Sequence, residues 1–261
     1  MDSGTIRIYE PRCCIGVSTI QGTRKYQQDA LYASQKDGVI FATVCDGMGG
    51  MECGEKASQL AQDTLTDDFL EQENLSDIET FFQNEAYKID KMVAGIQTAD
   101  GRIAEAGTTM VAVVIRDGIM TWMSIGDSRI YIRRNDQMGV VTRDHNYFLV
   151  LDEQLETGVI TQPLYERESR QGDALISFLG IGNLKLVDTG IISLQRGDQI
   201  LLCSDGLYKS LSLDQIRQIL KAGKGAPEET AGILTACALD ASKGGQDNTS
   251  VVLIEYRGGR G

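Results

Sequence analysis

The segment Gly38–Gly50, GVIFATVCDGMGG, joins an apolar run to one acid and then to three glycines. A run this rich in β-branched and aromatic residues predicts a buried strand. A turn by itself needs only one glycine or an Asn-Gly pair. A carboxylate at a strand end with bare backbone beside it is what a metal or phosphate site requires. We therefore expect Asp46 to stand in a glycine turn and to serve a ligand site, provided that other residues join it.

Four more acids adjoin apolar runs, and most have a glycine nearby: Asp29, Asp127, Asp205 and Asp247. Any one of them could cap a turn, since Asp-Gly is an ordinary turn signal. Five together indicate a shared site. Carboxylates gathered with no lysine nearby would repel one another, and divalent cations remove that repulsion. Because all-oxygen ligands suit Mg²⁺ or Mn²⁺, the five acids predict a site for one of these ions.

Composition excludes several classes of protein. The chain has 261 residues, 42% of them hydrophobic, with only three prolines, and this favours one compact domain over residues 1–261. A net charge of −12 disfavours a nucleic-acid partner. The sequence contains no run of about 18 apolar residues, so no membrane span is predicted. The first residues do not resemble a signal peptide. The single histidine and the absence of C-x-x-C pairs disfavour zinc and favour a reducing cytoplasm.

The order of elements predicts an α+β fold. Strand-like segments come first, then two helical patterns, further strands, two more helices and a closing strand at QDNTSVVLIEY. Because the strands follow one another through turns, antiparallel sheets are expected. Ser76–Glu79 and Ser212–Gln215 have the pattern of helix caps, and Pro227 suits the first turn of a helix.

Three further predictions concern an irregular segment, the strand that follows it and the limits of the packed core. Residues 146–173 lose clear periodicity and predict a loop or small flap, which is often functional inside a compact domain. ALISFLG, at residues 174–180, predicts a strand after it. The packed core is expected to run from about residue 5, in the strand TIRIY, to residue 256, with a disordered tail at 257–261.

Seven short motifs recur in a characteristic order. They are Arg24 with Gln28-Asp29, Asp46-Gly-Met-Gly-Gly50, Gly107-Thr-Thr109, Gly126-Asp-Ser-Arg129, Thr142-Arg-Asp-His145, Ser204-Asp-Gly-Leu207 and Asp247-Asn248. Over nearly the whole chain they resemble the PPM family, the metal-dependent type 2C protein serine/threonine phosphatases, and the DGMGG form is similar to bacterial members. The resemblance implies a four-layer α-β-β-α sandwich, two stacked antiparallel sheets flanked by helices, with a binuclear metal centre at one end.

The resemblance also implies roles for individual residues. Asp46 would bridge two Mn²⁺ or Mg²⁺ ions, with the Gly47 carbonyl as a further ligand. Asp205 and Asp247 would complete the shell of the first ion, and Asp29 would lie close to the ions, through water.

Further roles follow from the same resemblance. Asp127 would join Asp205 at a third, weaker metal site. Arg24 would bind phosphate, since a guanidinium fork suits its oxygens. Gln28 stands where many members have Glu, so the second ion would bind more weakly. Asn248 would hold the ligand residues in place without contacting the ions.

The implied reaction is direct attack on phosphorus by a metal-activated water, with no Ser, Cys or His nucleophile. Met48 stands where some members carry a proposed histidine acid, and it cannot donate a proton. His145 is expected to be a structural hydrogen-bonding residue. Cys45 and Cys203 are expected in strand cores, with a thiol redox switch as the alternative.

Two other functions remain open. Gln28 and Met48 permit a pseudophosphatase that acts as a regulatory binding module. A two-metal hydrolase of another phosphoester, such as a nucleic acid, is disfavoured by the acidic charge. For the active enzyme we expect phosphorylated protein substrates of a serine/threonine kinase, no nucleic acid, no membrane, a monomeric state and a cytoplasmic location.

Overall fold

The computed structural model describes residues 13–49, 53–72, 76–242 and 244–258. The expected strand TIRIY, Gly50 of the glycine segment and residues 259–261 of the expected tail lie outside these ranges. Arg257 and Gly258 belong to the expected tail but are partly buried. Within the described ranges, no helix is long and apolar enough to cross a membrane.

Eleven strands are present in the described ranges: β1 Cys13–Ile20, β2 Asp29–Lys36, β3 Val39–Gly49, β4 Ala106–Thr108, β5 Met110–Arg116, β6 Ile119–Ile125, β7 Arg129–Arg134, β8 Gln137–Val140, β9 Asp188–Ser193, β10 Gln199–Cys203 and β11 Thr249–Tyr256. The same ranges contain seven α-helices: α1 Cys53–Glu71, α2 Ile78–Ala94, α3 Tyr147–Glu156, α4 Gln162–Glu168, α5 Asp205–Tyr208, α6 Leu213–Ala222 and α7 Pro227–Ala241.

The strands form two antiparallel sheets. We call the sheet with the order β1-β11-β10-β7-β8 the first sheet, and the one with the order β2-β3-β5-β6-β9 the second sheet; β4 pairs with β3 beside the second sheet. Alternate side chains of central strands point to opposite faces, so both faces of each sheet must be covered.

Three apolar cores cover those faces. Val44, Val113 and Ile254 belong to the core between the two sheets. The outer face of the second sheet packs on α1 and α2, and the outer face of the first sheet packs on α6 and α7. The four layers are therefore helices, second sheet, first sheet and helices, which confirms the expected sandwich.

The helix starts show which capping predictions hold. At α6 the Ser212 hydroxyl accepts a hydrogen bond from the backbone N–H of Gln215, and a complete capping box confirms the prediction. Pro227 opens α7 as expected. At α2 the cap is Asp77 and not Ser76: one Asp77 carboxylate oxygen accepts from Thr80 N at 3.0 Å and the other from Thr80 Oγ1 at 2.6 Å. The carboxylate, one residue closer to the helix, takes the capping position.

The stretch from residue 146 to 173 is not a loop. It contains α3, α4 and a 3₁₀ turn at Ser169–Gln171. These helices lie at the surface and bury little, since Leu151 is the fully buried side chain of α3 and the residues of α4 are not fully buried. Their sequence therefore lacks the apolar periodicity from which helices are predicted.

The strand expected at residues 174–180 is also wrong. The segment makes only isolated bridges, from Leu175 to Asn146 and from Leu179 to Thr108. The buried Asp90 of α2 accepts hydrogen bonds from the backbone N–H groups of Gly180, Gly182 and Leu184 at 2.8, 3.0 and 3.3 Å. Of these three N–H groups only that of Gly180 lies in the segment, and because it binds a carboxylate it is not available to a sheet ladder.

Candidate metal centre

Strand β3 does not turn at Asp46 but runs on through Gly49. Asp46 stands opposite Asp29 of β2, and Gly47 stands opposite Thr108 of β4. A Cβ atom on Gly47 would lie only 2.2 Å from the carbonyl oxygen of Gly54. The glycine is therefore required by the close approach of α1, and the expectation of a turn at Asp46 is corrected.

The GTT motif holds the backbone of Asp46. The Asp46 N–H donates to Thr109 Oγ1 at 3.0 Å, and its carbonyl accepts from Thr109 N at 2.9 Å and Thr108 Oγ1 at 3.0 Å. Thr109 Oγ1 also lies 2.7 Å from Ser128 Oγ, next to Asp127. The two threonines thus fix the position of Asp46, a role that sequence reasoning did not assign to them.

Asp29 links the two sheets and keeps one oxygen unsatisfied. Its Oδ2 accepts from Ser204 Oγ at 2.7 Å, and Ser204 Oγ accepts from the Ser250 N–H at 2.9 Å. Its Oδ1 is buried and has no hydrogen-bond partner among the described residues. Burial, and then the repulsion of Asp205 and Asp247, raises the pKa of Asp29 to about 7 despite the hydroxyl groups.

The charges of the other four acids, which come from both sheets, affect the pKa of Asp46. Burial raises the pKa of Asp46 well above its usual range, and the charges of Asp29, Asp205, Asp127 and Asp247 raise it further. Asp127 follows β6, Asp205 follows β10 and Asp247 precedes β11. The structure therefore brings the five predicted acids together.

Two of these acids have basic partners, which the sequence did not predict. Asp205 Oδ2 contacts Lys209 Nζ, and Asp247 Oδ2 contacts Arg24 Nη2. The expectation that no lysine stands near the acids is wrong, because Lys209 directly follows α5, one helical turn after Asp205. Arg24, expected to bind phosphate, has a side chain that is 60% exposed.

Asn248 organises the loop before β2. Its Nδ2 donates to the carbonyls of Gln21 and Tyr26 at 2.9 and 3.0 Å, and its Oδ1 accepts from Gln28 N at 2.8 Å. This loop carries Arg24. Gln28 Nε2 donates to the Gly49 carbonyl oxygen at 3.4 Å, so Gln28 contacts the end of β3 that follows Asp46.

Asp127 is buried beside an aromatic residue. Burial, and then the charge of Asp205, raises the pKa of Asp127 to about 6, although Lys209 acts in the opposite direction. The Tyr208 hydroxyl donates to the Asp127 carbonyl at 2.9 Å. The Arg129 guanidinium lies 3.6 Å from the centre of the Tyr208 ring and makes two hydrogen bonds to Asp144. Tyr208 was not singled out from the sequence, since aromatic residues near strand ends are common.

The single histidine and the two cysteines lie in packed surroundings. His145 is fully buried, its Nδ1 accepts from Gly126 N at 3.3 Å, and burial lowers its pKa. This geometry supports the structural role. Cys45 and Cys203 are fully buried, and burial raises the pKa of Cys45 to about 12 and that of Cys203 further above its usual range. A buried, protonated thiol is a poor redox switch, so the strand-core interpretation is favoured.

The acids fit a hydrated divalent ion. Across residues 13–49, 53–72, 76–242 and 244–258, no group of three or more His, Cys, Asp or Glu side chains is positioned to hold a metal ion. Mg²⁺ and Mn²⁺ keep several waters and need few protein ligands, all of them oxygens. The unsatisfied Asp29 Oδ1 and the mutual repulsion at Asp46 would both be relieved by a cation.

Comparisons with known proteins agree with this geometry. A family model described as Protein phosphatase 2C matches residues 16–231. The serine/threonine phosphatase stp of Listeria innocua is 32% identical over 223 residues, which cover 84% of this chain and 86% of that protein.

Solved structures have the same fold. The crystal structure of the Mycobacterium tuberculosis serine/threonine phosphatase PstP/Ppp matches with a TM-score of 0.78 at 26% identity, over 94% of this chain and 99% of that one. A PstP catalytic domain in complex with two manganese ions matches with a TM-score of 0.75 at 24% identity, over 94% and 98%. The chain therefore belongs to the protein phosphatase 2C family of metal-dependent serine/threonine phosphatases.

Proposed function

We propose that this chain hydrolyses phosphoserine and phosphothreonine in proteins with the help of two Mn²⁺ or Mg²⁺ ions, and that residues 1–261 act as one catalytic domain. The observation that carries the proposal is the pair Asp29 and Asp46, which face each other on neighbouring strands with three further acids close by. Gathered carboxylates of this kind need a cation to offset their repulsion. The two manganese ions of the PstP complex support the number proposed here.

The proposed ligands come from both sheets. Asp46, the Gly47 carbonyl, Asp205 and Asp247 would hold the two ions, and Asp29 would lie close to them. Two bound ions of this type lower the pKa of water and stabilise charge on the phosphoryl oxygens. The threonines of the GTT motif hold Asp46 in place for this task.

Other residues decide how phosphate would be bound and where the proton for the leaving group would come from. Arg24 lies at the surface beside Asp247, so its guanidinium can turn to a phosphate group without breaking a packed core. Met48 has no proton to donate, and His145 is buried among its own partners. The proton for the leaving serine or threonine oxygen would therefore come from water.

The alternatives have weaker support. A pseudophosphatase would be expected to lack at least one of Asp46, Asp205 and Asp247, and all three are present. A nucleic-acid substrate is disfavoured by the net charge of −12. We further propose phosphorylated targets of a serine/threonine kinase as substrates, a monomeric enzyme, no stable contact with nucleic acid or membrane, and a cytoplasmic location.

The test is phosphate release from a phosphothreonine peptide in EDTA, Mg²⁺ or Mn²⁺. Wild type is compared with Asp205→Asn and with Asp214→Asn, an exposed acid on α6 that serves as a matched control. We expect metal-dependent turnover that EDTA and Asp205→Asn abolish and that Asp214→Asn leaves intact. A folded wild-type protein that releases no phosphate with either metal would contradict the proposal and favour the pseudophosphatase.

A further inference from the structure

Lys209 is a cation built into the acidic centre. It follows α5 directly, and its backbone N–H donates to the Asp205 carbonyl at 3.0 Å. Because residues four apart lie on the same side of a helical turn, Lys209 Nζ reaches Asp205 Oδ2. The Lys209 side chain is about half exposed, whereas that of Asp205 is 15% exposed. The contact is therefore set by local backbone geometry and is shielded on the carboxylate side.

The same ammonium acts on Asp127. Lys209 is close enough for its charge to interact with the charges of Asp205, Asp127 and Asp46. The preceding residue, Tyr208, donates a hydrogen bond to the Asp127 carbonyl, so residues 208 and 209 engage Asp127 and Asp205 together. These are the two acids from which a third metal site was expected. A positive charge already faces both of them.

We propose that the Lys209 ammonium takes the position of a third metal ion between Asp205 and Asp127, so that the chain binds two divalent ions and no third. The inference rests on the proposed two-metal function. A small divalent ion needs about six oxygen ligands at roughly 2.0–2.1 Å. The ammonium group in contact with Asp205 Oδ2 engages the oxygen that a third ion would need and repels an ion at that position, which leaves the other carboxylate oxygen of Asp205 for one of the two proposed ions.

The space around Lys209 makes the inference testable. A cleft of about 530 Å³ opens beside it, lined by Arg24, Lys209, Ser210 and Asp247 among others. Loss of the ammonium group would free Asp205 Oδ2, the oxygen that Lys209 now contacts. Lys209→Met keeps much of the side-chain volume and removes only the charge, and the half-exposed position predicts a folded variant.

The experiment counts bound Mn²⁺ by titration calorimetry and by electron paramagnetic resonance of free Mn²⁺, up to millimolar concentration. The proteins are wild type, Lys209→Met and Lys221→Met, a control that removes one lysine charge from α6, where Lys221 pairs with Asp136. We expect two ions in wild type and in the control and three in Lys209→Met, with affinity for the third ion at least about tenfold above any in wild type. Adding Asp127→Asn to Lys209→Met should remove the third ion again.

Three results would overturn the inference. Wild type could bind three ions with an affinity that Lys209→Met leaves unchanged, or both proteins could bind two. Either result would leave the two-metal phosphatase standing, because that function does not depend on Lys209. If neither protein binds Mn²⁺, the proposed metal-dependent function fails, and the inference fails with it.

Discussion

The acids of the two sheets differ in how their charge is compensated. Asp29 and Asp46, on β2 and β3 of the second sheet, face each other, and neither forms an ion pair among those found in the described ranges. Asp205 and Asp247, which flank β10 and β11 of the first sheet, each contact a basic side chain. One half of the centre carries its own counter-charge, and the other half does not.

This difference separates two tasks. The Asp29 and Asp46 pair is destabilised by burial and repulsion until a cation is supplied, so it is the part of the site that depends on metal. The first-sheet acids are already neutralised in part. Asp247 can exchange Arg24 for an ion or a phosphate group at lower cost, because the Arg24 side chain is 60% exposed. Asp90 is a third kind of acid, satisfied wholly by backbone N–H groups.

The largest effect is expected for Asp46→Asn. Loss of this carboxylate should lower phosphatase turnover by about 10³-fold, because the proposed metal centre loses one of its ligands. In EDTA the same variant should be more stable than wild type by about 1 kcal/mol, since a repelled, partly buried charge is gone. Thermal unfolding with and without Mn²⁺ measures the second effect. Asp205→Asn is the control, because it breaks an ion pair and should not be stabilised. Equal shifts of the unfolding temperature in both variants would contradict the difference between the two groups of acids.

The next effect concerns Asp90, which should matter for stability alone. Asp90→Ala leaves three backbone N–H groups without their carboxylate partner and should lower the free energy of unfolding by about 3 kcal/mol. Asp90→Asn keeps an acceptor oxygen and should lose clearly less. Urea unfolding in EDTA measures both. If the alanine variant is as stable as wild type, the segment from 180 to 184 is held by other contacts.

A smaller effect is expected for Arg24→Ala. Loss of the guanidinium should raise KM for a phosphopeptide about tenfold, because a phosphate contact worth about 1.4 kcal/mol is lost. Stability should change by less than about 1 kcal/mol, since the ion pair with Asp247 is largely exposed. Steady-state kinetics of Arg24→Ala and of Arg102→Ala, another exposed arginine that pairs with an aspartate, separate the two effects. Equal KM values in all three proteins would remove Arg24 from phosphate binding.

The smallest effect is expected for Gln28→Glu. An added carboxylate behind the Asp29 and Asp46 pair should strengthen the weaker of the two Mn²⁺ ions by about fivefold, because affinity rises with the charge of the ligands. Calorimetric titration detects the change. Gln27→Glu, one residue earlier, is the control for charge alone. A similar gain in both variants would show that position 28 has no special access to the ions.

Much of the architecture followed from local patterns. Runs of β-branched residues located most strands, and Ser212 with Gln215 located the start of α6. The surface helices α3 and α4 were missed because they bury too few apolar side chains to produce a periodic pattern. The strand expected at residues 174–180 failed because the segment pairs with Asn146 and Thr108 only at single bridges, and Asp90, distant in sequence, takes the N–H group of Gly180 at its end.

The sequence by itself determined the family and the five acids, because the motifs around Asp29, Asp46, Asp127, Asp205 and Asp247 are local strings of residues. Only the tertiary structure decided which of these acids contacts a basic side chain. Lys209 follows Asp205 in a helix of four residues, too short to show a pattern, and Arg24 reaches Asp247 across 223 positions of the chain. The pairing of Lys209 with Asp205 needs one helical turn to form, and that of Arg24 with Asp247 arises only when distant segments are packed together.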